Sequence, residues 1–221
     1  MTEVLSQRRL GRATLARQYL LDRVAAPAID VIDHLGGMQA QAPLAPYVGL
    51  WTRVQGFAAD ELSALTEQRR VVRLHLMRTT VHLVSARDCL DWRTLFCQLH
   101  AADFSAHFGH GAGAVDLTVL VRQAQRLLEE RPRTRSELGR LLAERWPDAD
   151  PGVLAYAATY HIALCQVPPR GLWAGTVPRP GHRWRAGWAH RCVRSRWMRS
   201  SCATSARSGR PASRTSRCGR G

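Results

Sequence analysis

The chain has 221 residues and a formal net charge of +15 at pH 7. All 32 basic residues are arginine, and the absence of lysine favours a GC-rich coding sequence and hence a bacterial source. The length suits one or two domains with a buried core. Because no apolar run approaches the ~18 residues of a membrane span and the N-terminus is polar and charged, we expect a cytoplasmic protein without a signal peptide.

The positive charge is concentrated after residue 173. Residues 1–173 hold 20 arginines and 17 acidic residues, whereas residues 174–221 hold 12 arginines, no acidic residue and no Leu, Ile or Phe. Such a segment buries too little apolar surface to offset its chain entropy, which predicts a disordered Arg-rich tail. Two interpretations stay open: a basic arm with three stacking tryptophans that grips nucleic acid, or a frameshift in a GC-rich gene, which the composition favours.

Neither a disulfide framework nor a metal site is expected. The six cysteines form no Cys-x-x-Cys pair, and three of them lie before residue 174 and three after it. His100, His107 and His110 lie near a glycine-rich stretch, but Cys or carboxylate partners at metal-ligand spacing are missing. The sequence therefore predicts no metal and no cofactor.

The first part of the chain has the pattern of a winged helix. Helices are predicted from the spacing of apolar residues, and the first is capped by Ser6; they cover about 6–21, 27–35, 44–54 and 60–68. Apolar and polar residues then alternate over 71–84, which predicts a β-hairpin that turns near 77–79. Ser85 caps a long helix over about 86–106, and a glycine-rich loop is expected at 109–113. Residues 1–108 therefore form the first predicted winged-helix unit.

The helical part of this pattern recurs in residues 114–173. Helices are predicted over 117–130 and 137–145, the second with a Thr134/Glu137 capping box. A third, opened by Asp150–Pro151, takes the place of a recognition helix over 151–165. The wing should follow 168–173, so this second helix-turn-helix unit is incomplete. The predicted fold class is mainly α with small β-hairpins, in a tandem winged-helix architecture.

The segment His34–Pro43 carries the most distinctive motif. Gln39 and Gln41 stand one residue apart, after a Gly-Gly pair and before a proline. In an extended chain both amides point to one face, with Met38 and Ala40 on the other. Each neutral amide offers two donors and an acceptor. Together they could hold a water molecule or a polar ligand without adding charge.

Three segments together resemble the AlkZ-like DNA glycosylases, bacterial winged-helix proteins that act on bulky alkyl lesions and interstrand crosslinks. They are 34–43 with Trp51 and Arg53, 76–84 (LMRTTVHLV) and 166–173 (QVPPRGLW), and the resemblance covers about residues 5–173. It implies tandem winged helices that form a concave, basic DNA-binding surface. It also implies that Gln39, Ala40 and Gln41 are the family's catalytic Gln-apolar-Gln motif.

The candidate DNA-binding residues lie on the predicted hairpin, at the entry to the second unit, or within the resembling segments. They are Arg53, Arg78, Thr80, His82, Arg133, Arg135 and Arg170. Polar side chains there could contact phosphates. A solvated surface is an open alternative for the hairpin and entry residues, as is a hydrogen-bonded structural role for His82.

The function predicted from the resemblance is monofunctional base excision of alkylated purines or crosslinks from double-stranded DNA, with water positioned by Gln39 and Gln41. An alkylated base is already cationic and leaves without strong acid help, so neutral amides suffice. No obligate protein partner is evident. Two alternatives stay open: a non-catalytic winged-helix DNA-binding protein, although 151–165 has no arginine or lysine, and an inactive truncated fragment.

Overall fold

A computed structural model describes residues 4–112, 115–173 and 188–190, the last three by their backbone alone. The N-terminal part comprises α1 (Gln7–Arg17), α2 (Ala28–His34), β1 (Met38–Gln39), α3 (Ala45–Trp51), α4 (Ala59–Glu67), β2 (Val71–His75), a 3-10 turn (Met77–Thr79) and β3 (Val81–Ser85). After it come α5 (Ala86–Ala112), α6 (Leu117–Glu130), α7 (Arg135–Ala143), α8 (Pro151–His161), β4 (Leu164–Gln166) and β5 (Trp188–His190). None of the described helices is long and apolar enough to cross a membrane.

The predicted helix starts are confirmed by their side-chain caps. Ser6 accepts a hydrogen bond from Arg9 N (3.3 Å), and Ser85 accepts one from Asp88 N (3.2 Å). Thr134 accepts from the amide of the residue three positions later (3.1 Å), and the Asp150 carboxylate does the same (2.9 Å). These contacts satisfy amides that have no partner within the helix.

Several predicted helix boundaries are wrong. The helix predicted over 151–165 ends at His161, and Leu164–Gln166 forms β4 instead. The first helix ends at Arg17 rather than near residue 21, because Tyr19 has a positive φ of 55° that no helix accommodates. The glycine-rich stretch from 109 to 112 is the last turn of α5, not a loop. A Cβ on Gly111 would lie 3.1 Å from the Val153 side chain, so small residues let α5 approach α8.

The strands form one five-stranded antiparallel sheet in the order β1-β3-β2-β4-β5. The β2–β3 hairpin was predicted, but its partners on both sides were not. In particular, β4 pairs with β2 through Arg73↔Gln166 and Leu74↔Cys165, which links the two predicted units through a shared sheet. Residues 188–190 were predicted to be disordered with the tail, yet they pair with the edge of β4. The rest of the predicted tail lies outside the described residues.

Apolar side chains are buried in three clusters. The first packs α2, α3 and α4 against β3 and includes Ala40. The second fills the space between α5, α6, α7 and α8. A smaller cluster, which includes Leu74 and Cys89, joins α5 to the sheet. The sheet therefore lies between two helical groups, and β1 forms its edge.

The predicted recognition helix is not a surface helix. Leu154, Ala157 and Ala158 of α8 are fully buried, and α8 packs against α5, α6 and α7. A helix that is apolar on most sides is a core element, because it has no polar face to present to solvent. The burial of α8 and its lack of arginine disfavour the assignment of 151–165 as a DNA recognition helix, and that assignment stays a prediction.

Candidate active site

The motif strand β1 begins after a glycine-dependent turn. Gly36 and Gly37 both have positive φ values, 64° and 103°, as the chain leaves α2. A Cβ on Gly37 would lie 2.5 Å from Val84 Cγ1 and 3.0 Å from the Leu83 carbonyl oxygen. Only glycine permits both this backbone conformation and this approach to β3. The turn thereby delivers residues 38–41 to the open edge of the sheet.

The predicted alternation of faces is present. Ala40 is fully buried in the first apolar cluster, and Met38 packs beside it, against Gly49 of α3. Gln39 and Gln41 are both exposed. The two side-chain amides therefore lie at the surface, while Met38 and Ala40 anchor the strand in the apolar core.

The carboxamide of Gln41 is fixed by the sheet. The Val81 amide donates a hydrogen bond to Gln41 Oε1 (3.0 Å), while the Val81 carbonyl accepts one from Ala40 N (2.7 Å). The side chain thus takes the place of a backbone carbonyl where the β1–β3 ladder ends. Its oxygen keeps one lone pair, and its amino group has no hydrogen-bond acceptor within the described residues.

Gln39 is the free member of the pair. Its side chain makes no hydrogen bond within the part of the chain that the structure describes. It lies opposite His82 in the β1–β3 register. His82 is buried and donates through Nδ1 to the Thr80 carbonyl (3.0 Å), and burial lowers the pKa of its imidazole. His82 is thus neutral and hydrogen-bonded, which favours a structural role for it over DNA contact.

A buried arginine lies behind the motif, and the sequence analysis missed it. Arg73 in β2 is only 3% exposed and donates from Nη2 to the Ala40 carbonyl (2.5 Å). Among the described residues, its Nε and Nη1 have no hydrogen-bond partner. Burial, together with the positive charge of Arg170, lowers the pKa of Arg73 to about 10. The available signal was an arginine in the middle of an apolar strand (VVRLHL), where alternation alone suggests a solvated side chain.

The hairpin tip carries two of the candidate DNA contacts. Arg78 is exposed and adopts a left-handed conformation, with φ of 52°. The Thr80 hydroxyl donates to the Met77 carbonyl (3.2 Å), which stabilises the tip. Arg78 is therefore open to a phosphate, whereas Thr80 is partly committed to the turn.

Arg53 and Arg133 are engaged within the protein. Arg53 donates to the Gln18 carbonyl and the Gly49 carbonyl (both 2.8 Å). Arg133 is 7% exposed; it is paired with Glu130 and Glu137 and donates to the Leu127 carbonyl. This geometry favours a structural role for both, and DNA contact by either one stays a prediction.

The remaining candidates are exposed. The Arg135 guanidinium lies 4.5 Å from the centre of the Tyr156 ring, and Arg170 lies in the segment that covers Arg73. The structure thus places the Gln39–Gln41 pair beside His82. Arg73 lies between the motif and the segment that carries Arg170, because it bonds to Ala40 and lies against Gly171. Arg133 and Arg135 belong instead to the start of α7.

Other parts of the described chain offer no competing centre. No group of three or more His, Cys, Asp or Glu side chains converges among the described residues. An open groove beside α2 is lined by residues including Asp30, Asp33 and Arg87, and it contains no predicted site residue. The sheet edge at β1 therefore presents two neutral carboxamides, the fixed one of Gln41 and the free one of Gln39, next to the buried guanidinium of Arg73.

Comparison with known proteins identifies related sequences and folds. The model of the family described as "DNA glycosylase AlkZ-like" matches residues 32–217. The solved structure of Streptomyces sahachiroi DNA glycosylase AlkZ superposes with a TM-score of 0.66 at 18% identity. That match covers 85% of this chain and 50% of the other, so the chain spans about half the length of that relative. No curated protein matches the sequence.

Proposed function

The chain belongs to the AlkZ-like DNA glycosylase family, and we propose that it hydrolyses the N-glycosidic bond of alkylated purines or crosslinked bases in double-stranded DNA. The observation that carries the proposal is the exposed Gln39–Gln41 pair on an anchored edge strand. We further propose that the helices and the sheet act as tandem winged helices on the duplex, in a bacterial cytoplasm.

The proposed reaction uses water as the nucleophile. An N7- or N3-alkylated purine is cationic, so the C1′–N bond breaks with its electron pair passing to the base, which leaves neutral. Positive charge develops on the sugar, the water oxygen bonds to C1′, and the water proton passes to solvent. Such a step needs a positioned water and nearby electron-rich oxygens rather than a strong acid. Amide oxygens meet this need, and no metal or cofactor takes part in the scheme.

The two glutamines take different parts in this scheme. The hydrogen bond from Val81 N fixes the plane of the Gln41 carboxamide, which supports its assignment as the oriented acceptor for water. The Gln39 carboxamide has no competing bond among the described residues, which supports its assignment as the group that adjusts to the substrate. Preorganisation of one group lowers the entropy lost on reaching the transition state.

The DNA backbone contacts are proposed for the exposed arginines near the motif. Arg78 and Arg170 are both exposed; Arg78 lies near His82, the residue opposite Gln39, and Arg170 lies near Arg73. Each phosphate contact contributes about −0.9 to the slope of log K against log salt concentration. Arg78→Ala and Arg170→Ala should therefore each weaken binding and flatten that slope by about one unit.

The proposal is tested with the full chain and a duplex that carries one N7-methylguanine. Abasic sites are converted to strand breaks by alkali and counted under single-turnover conditions. Removal of one positioned hydrogen-bonding group from a preorganised site costs on the order of 100-fold in rate. We expect this loss in Gln39→Ala and in Gln41→Ala, with little change in DNA affinity.

The matched control is Gln98→Ala, which removes an exposed glutamine from α5, outside the motif. It should excise at the wild-type rate. If the wild-type chain binds the duplex but forms no abasic sites, the non-catalytic DNA-binding alternative replaces the proposal. If it does neither, the inactive-fragment alternative does.

A further inference from the structure

Arg73 combines near-complete burial with an incomplete set of partners. Its residue surface is 3% exposed, and its one hydrogen bond runs from Nη2 to the Ala40 carbonyl at 2.5 Å. Nε and Nη1 are buried and find no hydrogen-bond partner in the part of the chain that the structure describes. A buried cation with unsatisfied donors destabilises a fold compared with an apolar side chain of similar size. Stability alone therefore does not explain an arginine at this position.

The single bond that Arg73 makes is to the residue between the two glutamines. The Ala40 amide already donates to the Val81 carbonyl, and Gln41 Oε1 accepts from the Val81 amide. The bond from Arg73 holds the other polar group of Ala40, its carbonyl, from beneath the sheet edge. The two peptide units that flank Ala40, and with them the directions of Gln39 and Gln41, are thus both restrained.

Arg73 is in turn enclosed by a segment about a hundred residues away in sequence. A Cβ on Gly171 would lie 2.9 Å from Arg73 Nη1 and 3.0 Å from its Cδ, and Gly171 has a φ of 89°. The Gly171 carbonyl accepts a hydrogen bond from the Tyr47 hydroxyl (2.8 Å), which also contacts Ser63 Oγ (3.0 Å). The 169–173 segment therefore presses the guanidinium against the motif strand.

We propose that Arg73 is a positioning residue: clamped by Gly171, it holds the Ala40 carbonyl so that Gln39 and Gln41 keep the relative orientation needed for water attack. This inference rests on the proposed excision activity. A charge-assisted bond is short and directional, which suits it to fixing a peptide plane. Through this clamp, Gly171 acts on the orientation of residues 39–41 without touching the reacting atoms.

The test compares Arg73→Met with Arg93→Met. Arg93 is the matched control because it is also buried (4% exposed) and donates to backbone carbonyls, those of Tyr160 and Ile162. In Arg73→Met we expect the single-turnover excision rate to fall by roughly 10- to 100-fold. The Kd for lesion DNA should stay within about twofold, and the Tm should change little. In Arg93→Met we expect the Tm to fall while the excision rate, assayed well below that Tm, is retained.

Two further variants separate positioning from loss of a buried side chain. Arg73→Lys keeps a cationic donor and should recover part of the rate lost in Arg73→Met. Gly171→Ala forces the guanidinium to move and should lower the rate in the same way. An unchanged rate in Arg73→Met, or equal losses of rate in Arg73→Met and Arg93→Met, would overturn the proposal.

Hydrogen exchange can test the positioning role of Arg73 even if the chain has no excision activity. Amide hydrogen exchange of Ala40 reports the β1–β3 bond directly. We expect exchange at Ala40 to accelerate by about tenfold in Arg73→Met and not in Arg93→Met. If the wild-type chain excises nothing, the excision proposal fails, and unchanged exchange at Ala40 then separately overturns the positioning role.

Discussion

Gly37 determines, at the scale of single residues, whether the strand that carries the glutamine motif can reach the sheet. Its φ is 103°, and a Cβ added to it would lie 2.5 Å from Val84 Cγ1, so the position excludes any side chain. Gly37→Ala should therefore lower the free energy of unfolding by about 1–3 kcal/mol or more, since strain and a steric clash add. Gly11→Ala in exposed α1, where a Cβ meets nothing within 4 Å, should instead stabilise by up to about 1 kcal/mol. Urea denaturation measures the free energy of unfolding of both variants. Equal changes in Gly37→Ala and Gly11→Ala would contradict this explanation.

The sequence predicted the outward-facing glutamine pair but not the buried Arg73 that bonds to the residue between them. Alternation sufficed to place Gln39 and Gln41 outward and Ala40 inward, because β1 is an edge strand with one buried face. Arg73 could not be predicted as buried, because its enclosure depends on Gly171, which is distant in sequence. Burial of a charge is decided by tertiary contacts, which local periodicity does not record.

At the scale of elements, α5 is the helix that ties the sheet to the second helical group. His100 of α5 is fully buried and donates from Nε2 to the Leu76 carbonyl (2.7 Å). Burial, helped by the nearby positive charge of Arg93, lowers the pKa of His100 to about 4. Its neighbour His75 in β2 has a pKa lowered to about 4 for the same main reason. Both imidazoles are thus neutral in the fold near neutral pH.

This arrangement predicts acid sensitivity of the fold. Below about pH 6.5 the unfolded state binds protons that folded His100 does not, so stability falls from pH 6.5 towards pH 4. The loss attributable to His100 should be roughly 1–3 kcal/mol. Above pH 6.5 this group gives no pH dependence. His100→Gln, which keeps a donor for Leu76, should flatten the curve of unfolding free energy against pH. A curve identical to that of the wild type would refute the assignment.

Element prediction succeeded where the signal was local. The β2–β3 hairpin and the capped helix starts follow from alternation and capping residues, and both are present. The pairing of β4 with β2 was not predictable, because three-residue strands carry little periodic signal. The end of α5 was misjudged because glycine disfavours helices in isolation, whereas here Gly111 gains close packing on Val153.

At the scale of the whole molecule, two helical groups share one sheet whose edge carries the motif. The chain matches the AlkZ-like family over residues 32–217 and spans half the length of the solved AlkZ. Near the motif, the described residues supply an oriented amide, a free amide and a clamped arginine. We therefore propose that the chemistry of base excision lies within this chain and that its exposed arginines hold the DNA.

Release of the free base tests this account most directly. The full chain is incubated with duplex DNA that carries one N7-methylguanine, and free 7-methylguanine and abasic sites are quantified together by mass spectrometry. We expect free 7-methylguanine and abasic sites in a 1:1 ratio, with the same yield from the wild type and from Gln98→Ala. In Gln39→Ala and in Gln41→Ala the rate of release should fall on the order of 100-fold. Base release that persists unchanged in the Gln39→Ala/Gln41→Ala double variant would contradict it.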